Sequence, residues 1–212
     1  MNFVPDRRGA QALVDEYRGI PTSIVSDNLD RVPGAVGIRR FHRSGSLAGI
    51  AFTVRTRAGD NLAIHRALDE VRPGEVLVVD GGGDESRALV GEIMKKIAES
   101  RGVAGYVIDG AIRDSGAFAA SDFPCFARSA IHRGPYKSGP GECQVTVCIG
   151  GMPVSPGDIM LGDEDGVLAM SPKIAEEILP KARAQMQREE ETMKSIADGT
   201  YAGVYGTPSR PK

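Results

Sequence analysis

Two short apolar segments on either side of a helix-like segment are the strongest constraint on how this chain folds. Residues 76–79 read VLVV after a Pro-Gly turn, and residues 106–108 read YVI. Branched and aromatic side chains in runs of this length predict buried strands. Residues 84–100 carry apolar side chains at spacings of three and four, which predicts a helix with one buried face: Leu89, Ile93, Met94 and Ile97. This alternation predicts an α/β protein.

The rest of the chain extends this pattern into one domain over residues 1–212 with mixed sheets flanked by helices. Further helices are predicted over residues 8–17, 22–31 and 61–68, and further strands over residues 49–56 and 123–128. From Cys143 onward, short apolar runs between turns predict antiparallel strands. Ser171 suits a helix N-cap and Pro172 a first turn, so a C-terminal helix is predicted over about 172–198, with a loosely held tail at 199–212.

Composition narrows the classes of function. The net charge is −2 and basic residues are scattered, so direct nucleic-acid binding is not expected. Three cysteines without CxxC spacing argue against a disulfide framework and a structural zinc site. The N-terminal segment is charged and no apolar run reaches membrane-spanning length, so we expect a cytoplasmic protein without membrane contact.

The segment VAGYVIDGAIRD at residues 103–114 carries the clearest chemical signal. An apolar strand runs into Gly110, and Arg113 and Asp114 follow where a strand normally meets its loop. Arg113 offers a planar set of donors to a substrate carboxylate, and Asp114 offers oxygen ligands to Mg²⁺ or Mn²⁺. The alternative is a helix-capping Asp beside a surface Arg.

Two glycine-containing segments are candidates for binding anions. The GGGD sequence at residues 81–84 is predicted to lie between a strand and a helix, although it matches no nucleotide motif and a tight turn explains it equally well. Gly91 is costly inside a helix, which suggests that the helix starts there instead. Free backbone N–H groups at Gly91, Glu92, Ile93 and Met94 would then bind an anion.

Other catalytic arrangements find little support. No GxSxG sequence occurs, and His42, His65 and His132 lie in unrelated contexts typical of surface or packing residues. The lysines, Lys95 among them, fall in polar sequence surroundings rather than the apolar ones that a Schiff-base lysine needs. Metal-and-carboxylate chemistry remains.

The order and spacing of several motifs resemble the RraA-like family, which includes the 4-hydroxy-4-methyl-2-oxoglutarate/4-carboxy-4-hydroxy-2-oxoadipate aldolases. The resemblance spans about residues 18–172. It rests on SDNLDR at 26–31, GDN at 59–61, RPGEVLVVDGGG at 72–83, GEIMKKIAESRGVAGYVIDGAIRD at 91–114, FPCFAR at 123–128, GPGE at 139–142, PGD at 156–158 and DEDGV at 163–167.

The resemblance implies a fold like the swivelling phosphohistidine domain, a homotrimer or hexamer, and a Mg²⁺ or Mn²⁺ ion. It implies that Asp114 binds the metal, that Arg113 contacts the pyruvyl group of a 2-oxo acid, and that Glu92 supports a metal-associated water. Backbone amides at Gly91, Ile93 and Met94 would hold the substrate carboxylate. An acidic residue from a neighbouring subunit's C-terminal region, with residues 189–191 as candidates, would complete the site.

The implied reaction is class II aldol cleavage to pyruvate, with oxaloacetate decarboxylation as a side activity because both reactions form the same enolate. The family aldolases carry Glu or Asp three residues after the Asp of the Arg-Asp pair, where this chain has Ala117. The alternative function is that of family members that bind and inhibit an RNA-degrading endonuclease. Arg87, Arg133 and Lys137 are candidates for binding a distal substrate carboxylate, and exposed surface charges are the alternative.

Overall fold

The computed structural model describes residues 7–31 and 34–203. The helices in these ranges are α1 (Arg7–Tyr17), α2 (Thr22–Asp27), α3 (Leu62–Glu70), α4 (Glu92–Ser100), α5 (Ser115–Ala119) and α6 (Pro172–Ala197). The strands are β1 (Arg39–Arg40), β2 (Leu47–Thr56), β3 (Glu75–Val90), β4 (Gly105–Ile112), β5 (Cys125–Ala130), β6 (Gly141–Cys143), β7 (Val147–Ile149), β8 (Met152–Val154), β9 (Ile159–Gly162) and β10 (Val167–Met170). None of the described helices is both long and apolar enough to cross a membrane.

The main sheet is mixed, which confirms the predicted α/β class. Its strand order is β1-β5-β4-β3-β2-β9-β10, with β6 paired to β2. Strands β2, β3, β4 and β5 are parallel, and the outer strands pair antiparallel. Strands β7 and β8 form a separate hairpin. The predicted short antiparallel strands after Cys143 are therefore confirmed.

Helices cover both faces of the sheet, so residues 76–79 of β3 and 106–108 of β4 are apolar on both faces. Val76 and Val78 pack with α1, α2 and α6 in one core. Leu77 and Val79 point to the other face and pack with α3, α4 and α5. Successive side chains of a strand alternate between faces, so the four-residue VLVV run contributes equally to both cores.

The prediction of one helix over residues 84–100 is wrong in its first half. Strand β3 continues to Val90, and its last part pairs with β4 through register shifts at Asp84, Ala88 and Val90. Residues 81–84 therefore lie within a strand, and the GGGD segment has no helix start to bind an anion. Buried Leu89 belongs to this strand rather than to the helix, so the helical periodicity only begins at Met94. The suggestion that Gly91 marks the helix start is confirmed.

Most other predicted elements are present, with shifted ends. The long C-terminal helix is confirmed as α6, and the Ser171 hydroxyl caps it by accepting the Ile174 N–H. The helix predicted over residues 22–31 ends at Asp27. Residues 199–203 lie outside helices and strands, and the rest of the predicted tail lies outside the described residues.

Paired charges on the sheet hold the β7–β8 hairpin. The Asp109 carboxylate is buried, forms an ion pair with Arg128 and accepts the Gly150 N–H at 2.9 Å. The Asp109 hydrogen bond raises the pKa of Arg128. On the next strand, Asp80 accepts the Cys148 N–H at 3.4 Å. The hairpin is thus attached to the sheet by carboxylates as well as by apolar contacts.

We expect Asp109→Asn to lower the free energy of unfolding by about 2 kcal/mol or more, because it leaves the partly buried Arg128 without its counter-charge. Urea unfolding followed by circular dichroism measures this. Asp122→Asn is the control, since Asp122 pairs with Arg43 on the surface and is more than half exposed. Equal losses in the two variants would contradict a structural role for the buried pair.

Candidate active site

The Arg113–Asp114 pair and the start of α4 lie side by side at one edge of the sheet. Strands β3 and β4 are parallel, and Val90 pairs with Ile112 at their carboxyl ends. The Arg113 N–H donates to the Val90 carbonyl at 2.9 Å, which continues the pairing by one residue. Loops that leave the carboxyl ends of parallel strands are the usual place for binding sites in α/β proteins.

Gly91 is a point of close approach between the two segments. An ideal Cβ at Gly91 would lie 2.6 Å from Asp114 Oδ2 and 2.9 Å from Arg113 Cγ. Because side chains never approach so closely, only glycine fits without moving the pair. The close approach lets the Glu92 N–H donate to Asp114 Oδ2 at 2.9 Å. This hydrogen bond joins the first turn of α4 to the carboxylate.

Asp114 has an unusual backbone conformation. Its φ of 55° and ψ of 39° lie in the left-handed region, which few residues other than glycine occupy and where Asp is enriched. Asp114 occupies the N-cap position of α5, yet its side chain makes no capping hydrogen bond there. Asp114 therefore stands at a helix-capping position, as the alternative interpretation predicted. Its carboxylate, however, points towards α4 and does not cap α5.

The first turn of α4 presents unused hydrogen-bond donors. The first intrahelical bond runs from the Lys95 N–H to the Gly91 carbonyl, and the N-cap residue Gly91 has no side chain to cap the helix. The N–H groups of Ile93 and Met94 therefore have no partner among the residues that the structure describes. Together with the helix dipole, they can bind an anion such as a carboxylate. Buried Tyr106 fixes this turn from below by donating its hydroxyl to the Met94 carbonyl at 2.7 Å.

The charged side chains of the site are open to solvent. Arg113 Nε lies 3.8 Å from Asp114 Oδ2, and each side chain is 43% exposed. Glu92 is 48% exposed and lies 4.0 Å from Lys96. Ion pairs at such distances and exposures are weak, so Arg113 and Glu92 can turn towards a ligand at little cost.

A buried Asp-Asn pair supports one side of the site, and neither residue was predicted from the sequence to belong to it. Asp60 is fully buried and accepts the N–H groups of Leu62, Ser138 and Gly139. The Asn61 amide donates to the Leu89 carbonyl at 2.9 Å, close to the start of α4. Its Oδ1 atom is buried without a partner in the described part of the chain. In the sequence, the two residues stood out only as part of the GDN motif at residues 59–61 that supports the family resemblance.

Burial raises the pKa of Asp60, but the three backbone donors and nearby Arg57 outweigh burial, so the pKa lies below its ordinary value. Asp60 is therefore a fixed anion that holds the loop at residues 138–139 against α3. Because these hydrogen bonds come from the backbone groups that Asp60 holds in place, its role is structural.

The donor set fits a magnesium-like ion better than a zinc ion. No group of three His, Cys, Asp or Glu side chains converges within residues 7–31 and 34–203. Asp114 Oδ2 accepts the Glu92 N–H, while Oδ1 has no hydrogen bond to a described residue. One half-exposed carboxylate with a free oxygen suits Mg²⁺ or Mn²⁺, which keep several water ligands, whereas zinc sites use three or four protein ligands.

The remaining candidates lie elsewhere. His42 is buried beside β5, where its ring bonds to the backbone of Cys125. The interpretation of Lys95 as a residue in polar surroundings is wrong: its ammonium group is buried, pairs with Glu99 at 3.3 Å and lies 5.9 Å from the Phe118 ring centroid. Helical periodicity places Lys95 on the inner face of α4. Its pairing with Glu99 indicates a structural role.

Comparisons with known proteins agree with this architecture. Residues 22–169 match the model of the RraA-like family, described as Aldolase/RraA. A Halalkalibacterium halodurans protein named "Putative 4-hydroxy-4-methyl-2-oxoglutarate aldolase" is 37% identical over 197 residues, which cover 91% of this chain and 94% of that protein. The mixed sheet and this match together define an α/β protein of the kind that the family model describes. The chain belongs to the RraA-like family.

Solved structures show the same fold. An uncharacterized protein from Pseudomonas syringae pv. tomato superposes with a TM-score of 0.80 at 29% identity, covering 89% of this chain and 94% of that one. The RNA-processing inhibitor RraA from Thermus thermophilus superposes with a TM-score of 0.65 at 32% identity, covering 71% of this chain and 92% of that one. The family resemblance drawn from the motifs is thus confirmed.

We expect Gly91→Ala to lower the free energy of unfolding by about 1–3 kcal/mol, because the added methyl group must displace Asp114 or Arg113. Thermal or urea unfolding measures the change. Gly116→Ala is the matched control, since its Cβ would meet nothing within 4 Å and it lies in α5. A Gly91→Ala variant as stable as the control would show that the close contact is not tight in solution.

The lowered pKa of Asp60 predicts a pH-dependent effect of Asp60→Asn. The ionised carboxylate is favoured in the folded chain, so its stabilisation is present above the unfolded value of about 3.9 and is lost as the pH falls through the lower folded value. At pH 7 the variant should be less stable by about 1–3 kcal/mol. Unfolding measured from pH 7 to pH 2 tests this. A difference that stays constant over that range would contradict it.

Proposed function

We propose that this chain is a divalent-metal-dependent aldolase that cleaves 2-oxo acids of the 4-hydroxy-4-methyl-2-oxoglutarate type to pyruvate. The observation that carries the proposal is the hydrogen bond from the Glu92 N–H to Asp114 Oδ2, which brings a carboxylate, a guanidinium and free helix N–H groups to one point. The name of the 37% identical relative supports the substrate class. Oxaloacetate decarboxylation is proposed as a side activity.

In this proposal Asp114 holds Mg²⁺ or Mn²⁺ through its free oxygen. When bound, the ion supplies Lewis-acid polarisation of the oxygens of the 2-oxo acid. The Glu92 N–H keeps the carboxylate in one orientation by occupying its other oxygen. The left-handed backbone of Asp114 serves the same end, since a strained conformation is kept only where its surroundings define it.

The substrate's pyruvyl half is proposed to bind between α4 and Arg113. The N–H groups of Ile93 and Met94 bind the C1 carboxylate, and Arg113 donates to the C2 oxygen. When the C3–C4 bond breaks, its electron pair moves towards C2 and negative charge develops on that oxygen. Arg113 then binds the transition state more strongly than the substrate, which is the condition for faster reaction.

Glu92 is proposed to manage the proton. Cleavage requires that the 4-hydroxyl group lose a proton and that C3 of the enolate gain one. Glu92 is half-exposed beside the pair and can hold the water molecule that transfers the proton. Ala117 supplies no carboxylate for this task, and Asp122 is engaged elsewhere with Arg43 and Ser44. We therefore propose Glu92 for this role.

A homotrimer or hexamer is proposed as the working form. The outer part of α6 carries exposed apolar side chains at Met193 and Ile196, which a neighbouring subunit would cover. The acidic residues 189–191 lie on the same part of this helix and are candidates to complete a neighbour's site.

Three cysteines without a disulfide support a cytoplasmic location, where thiols stay reduced.

A second candidate function is inhibition of RNA processing through protein binding. Its support is the similarity to the Thermus thermophilus inhibitor at 32% identity. This function needs no metal and no free carboxylate at Asp114. Dependence on Asp114 and on metal therefore separates the two candidates.

We expect the protein with Mg²⁺ to release pyruvate from 4-hydroxy-4-methyl-2-oxoglutarate and, more slowly, from oxaloacetate. EDTA should abolish release, and Asp114→Asn should reduce kcat/KM more than about a hundredfold, since the loss of metal polarisation costs several kcal/mol of transition-state stabilisation. Coupling pyruvate to lactate dehydrogenase provides the measurement. Asp122→Asn removes a surface charge away from the site and is the control.

Metal-independent release, or full activity of the Asp114→Asn variant, would overturn the proposed mechanism. If neither compound releases pyruvate, the aldolase proposal fails and the protein-binding function becomes the stronger candidate.

A further inference from the structure

Arg87 is a fixed cation at the rim of the candidate active site. It lies in the last part of β3, four residues before Gly91. Within residues 7–31 and 34–203 it forms no ion pair, although its guanidinium is partly buried. A partly buried charge without a counter-charge is unfavourable unless a ligand supplies one.

The surroundings of Arg87 hold it in one place. Its side-chain stem packs on Gly59, where an ideal Cβ would lie 2.8 Å from Arg87 Cδ. Its guanidinium carbon lies 3.9 Å from the Tyr136 ring centroid. One terminal nitrogen donates to the Gly134 carbonyl and the other to the Tyr136 hydroxyl, each at 2.8 Å. These two bonds use two of the five N–H donors of a guanidinium, so three are left for a ligand.

The same loop connects Arg87 to the proposed pyruvyl site. An ideal Cβ at Gly134 would lie 3.4 Å from Arg113 Nη1, while the Gly134 carbonyl accepts from Arg87. Both guanidinium groups thus lie close to the same loop residue. By contrast, Arg133 and Lys137 of this loop are exposed, as the surface-charge alternative predicts.

We propose that Arg87 binds the second carboxylate of a dicarboxylic 2-oxo acid whose pyruvyl half binds at Arg113. This inference rests on the proposed function and specifies how its substrate is recognised: Arg87 makes the site select 2-oxo acids with an anionic group at the far end over those with an apolar end. Arg87 is suited to this because its planar donors match a carboxylate and because its position is fixed before the ligand arrives.

Calorimetric titration of the full chain with Mg²⁺ tests the proposal without catalysis. The probes are 2-oxoglutarate and 2-oxopentanoate, which share the 2-oxo acid half and differ in a carboxylate or a methyl group at C5. Neither has the 4-hydroxyl group that cleavage requires. We expect 2-oxoglutarate to bind about tenfold to a hundredfold more tightly than 2-oxopentanoate, because a hydrogen bond between charged groups usually contributes that much to affinity.

Three variants test whether the preference for 2-oxoglutarate comes from contact with Arg87 or from the positive charge of this region in general. Arg87→Gln should remove the preference and leave the affinity for 2-oxopentanoate unchanged, which also shows that the variant is folded. Tyr136→Phe keeps the ring but loses the hydroxyl acceptor, so it should reduce the preference less. Arg133→Gln makes the same change of charge in the same loop and should keep the preference.

Three results would overturn the inference: equal binding of both probes by the unmodified protein, a preference that survives Arg87→Gln, or an equal loss in Arg133→Gln. Failure of the aldolase proposal is separate. An Arg87-dependent preference without pyruvate release from 4-hydroxy-4-methyl-2-oxoglutarate would keep the carboxylate subsite and reject the aldolase. Pyruvate release without an Arg87-dependent preference would keep the aldolase and reject the carboxylate subsite.

Discussion

The parallel pairing of β3 with β4 is the constraint on which the candidate site depends. Because the two strands end together at Val90 and Ile112, the residues that follow them leave the sheet side by side. One strand continues into a helix start and the other into the Arg113–Asp114 pair. Neither segment alone forms a site. A shift of one residue in this register would turn the last strand residues to the opposite face and separate the two segments.

The backbone at the base of the site is held by buried hydrogen bonds, whereas the charged side chains of the site are exposed to solvent. Buried donors fix its base: Tyr106 holds the first turn of α4, and Asn61 holds the end of β3. The groups that would meet a substrate, Arg113, Asp114 and Glu92, are all nearly half-exposed. Fixed backbone N–H groups can bind an anion without reorganisation, while exposed side chains can adjust to it. This division explains how exposed and weakly paired charges can still form a defined site.

The residues that carry the chemistry of the site could be predicted from the sequence more readily than the strands and buried residues that hold them in place. Arg113 and Asp114 could be placed at a strand end because they are charged residues directly after a largely apolar segment, although β4 continues through Gly110 to Ile112. The extension of β3 to Val90 could not be predicted, because Leu89 matches a helical spacing and the register shifts that allow pairing with β4 depend on the partner strand. Asp60 and Asn61 were missed for the same reason, since their partners lie at residues 138–139 and at Leu89.

The arrangement also separates two tasks that a 2-oxo acid site must perform. Recognition of the pyruvyl half would use the helix start and the Arg-Asp pair, which are held by the two central strands. Recognition of the other half would use Arg87 and the loop around Gly134 and Tyr136, which is attached to the framework through Asp60. Changes in this loop can therefore alter which substrates fit while the register of β3 and β4 stays the same. Residues on a loop held by a rigid scaffold are where such variation is tolerated best. Specificity within this fold is accordingly expected to follow the loop, and the type of reaction to follow the strand ends.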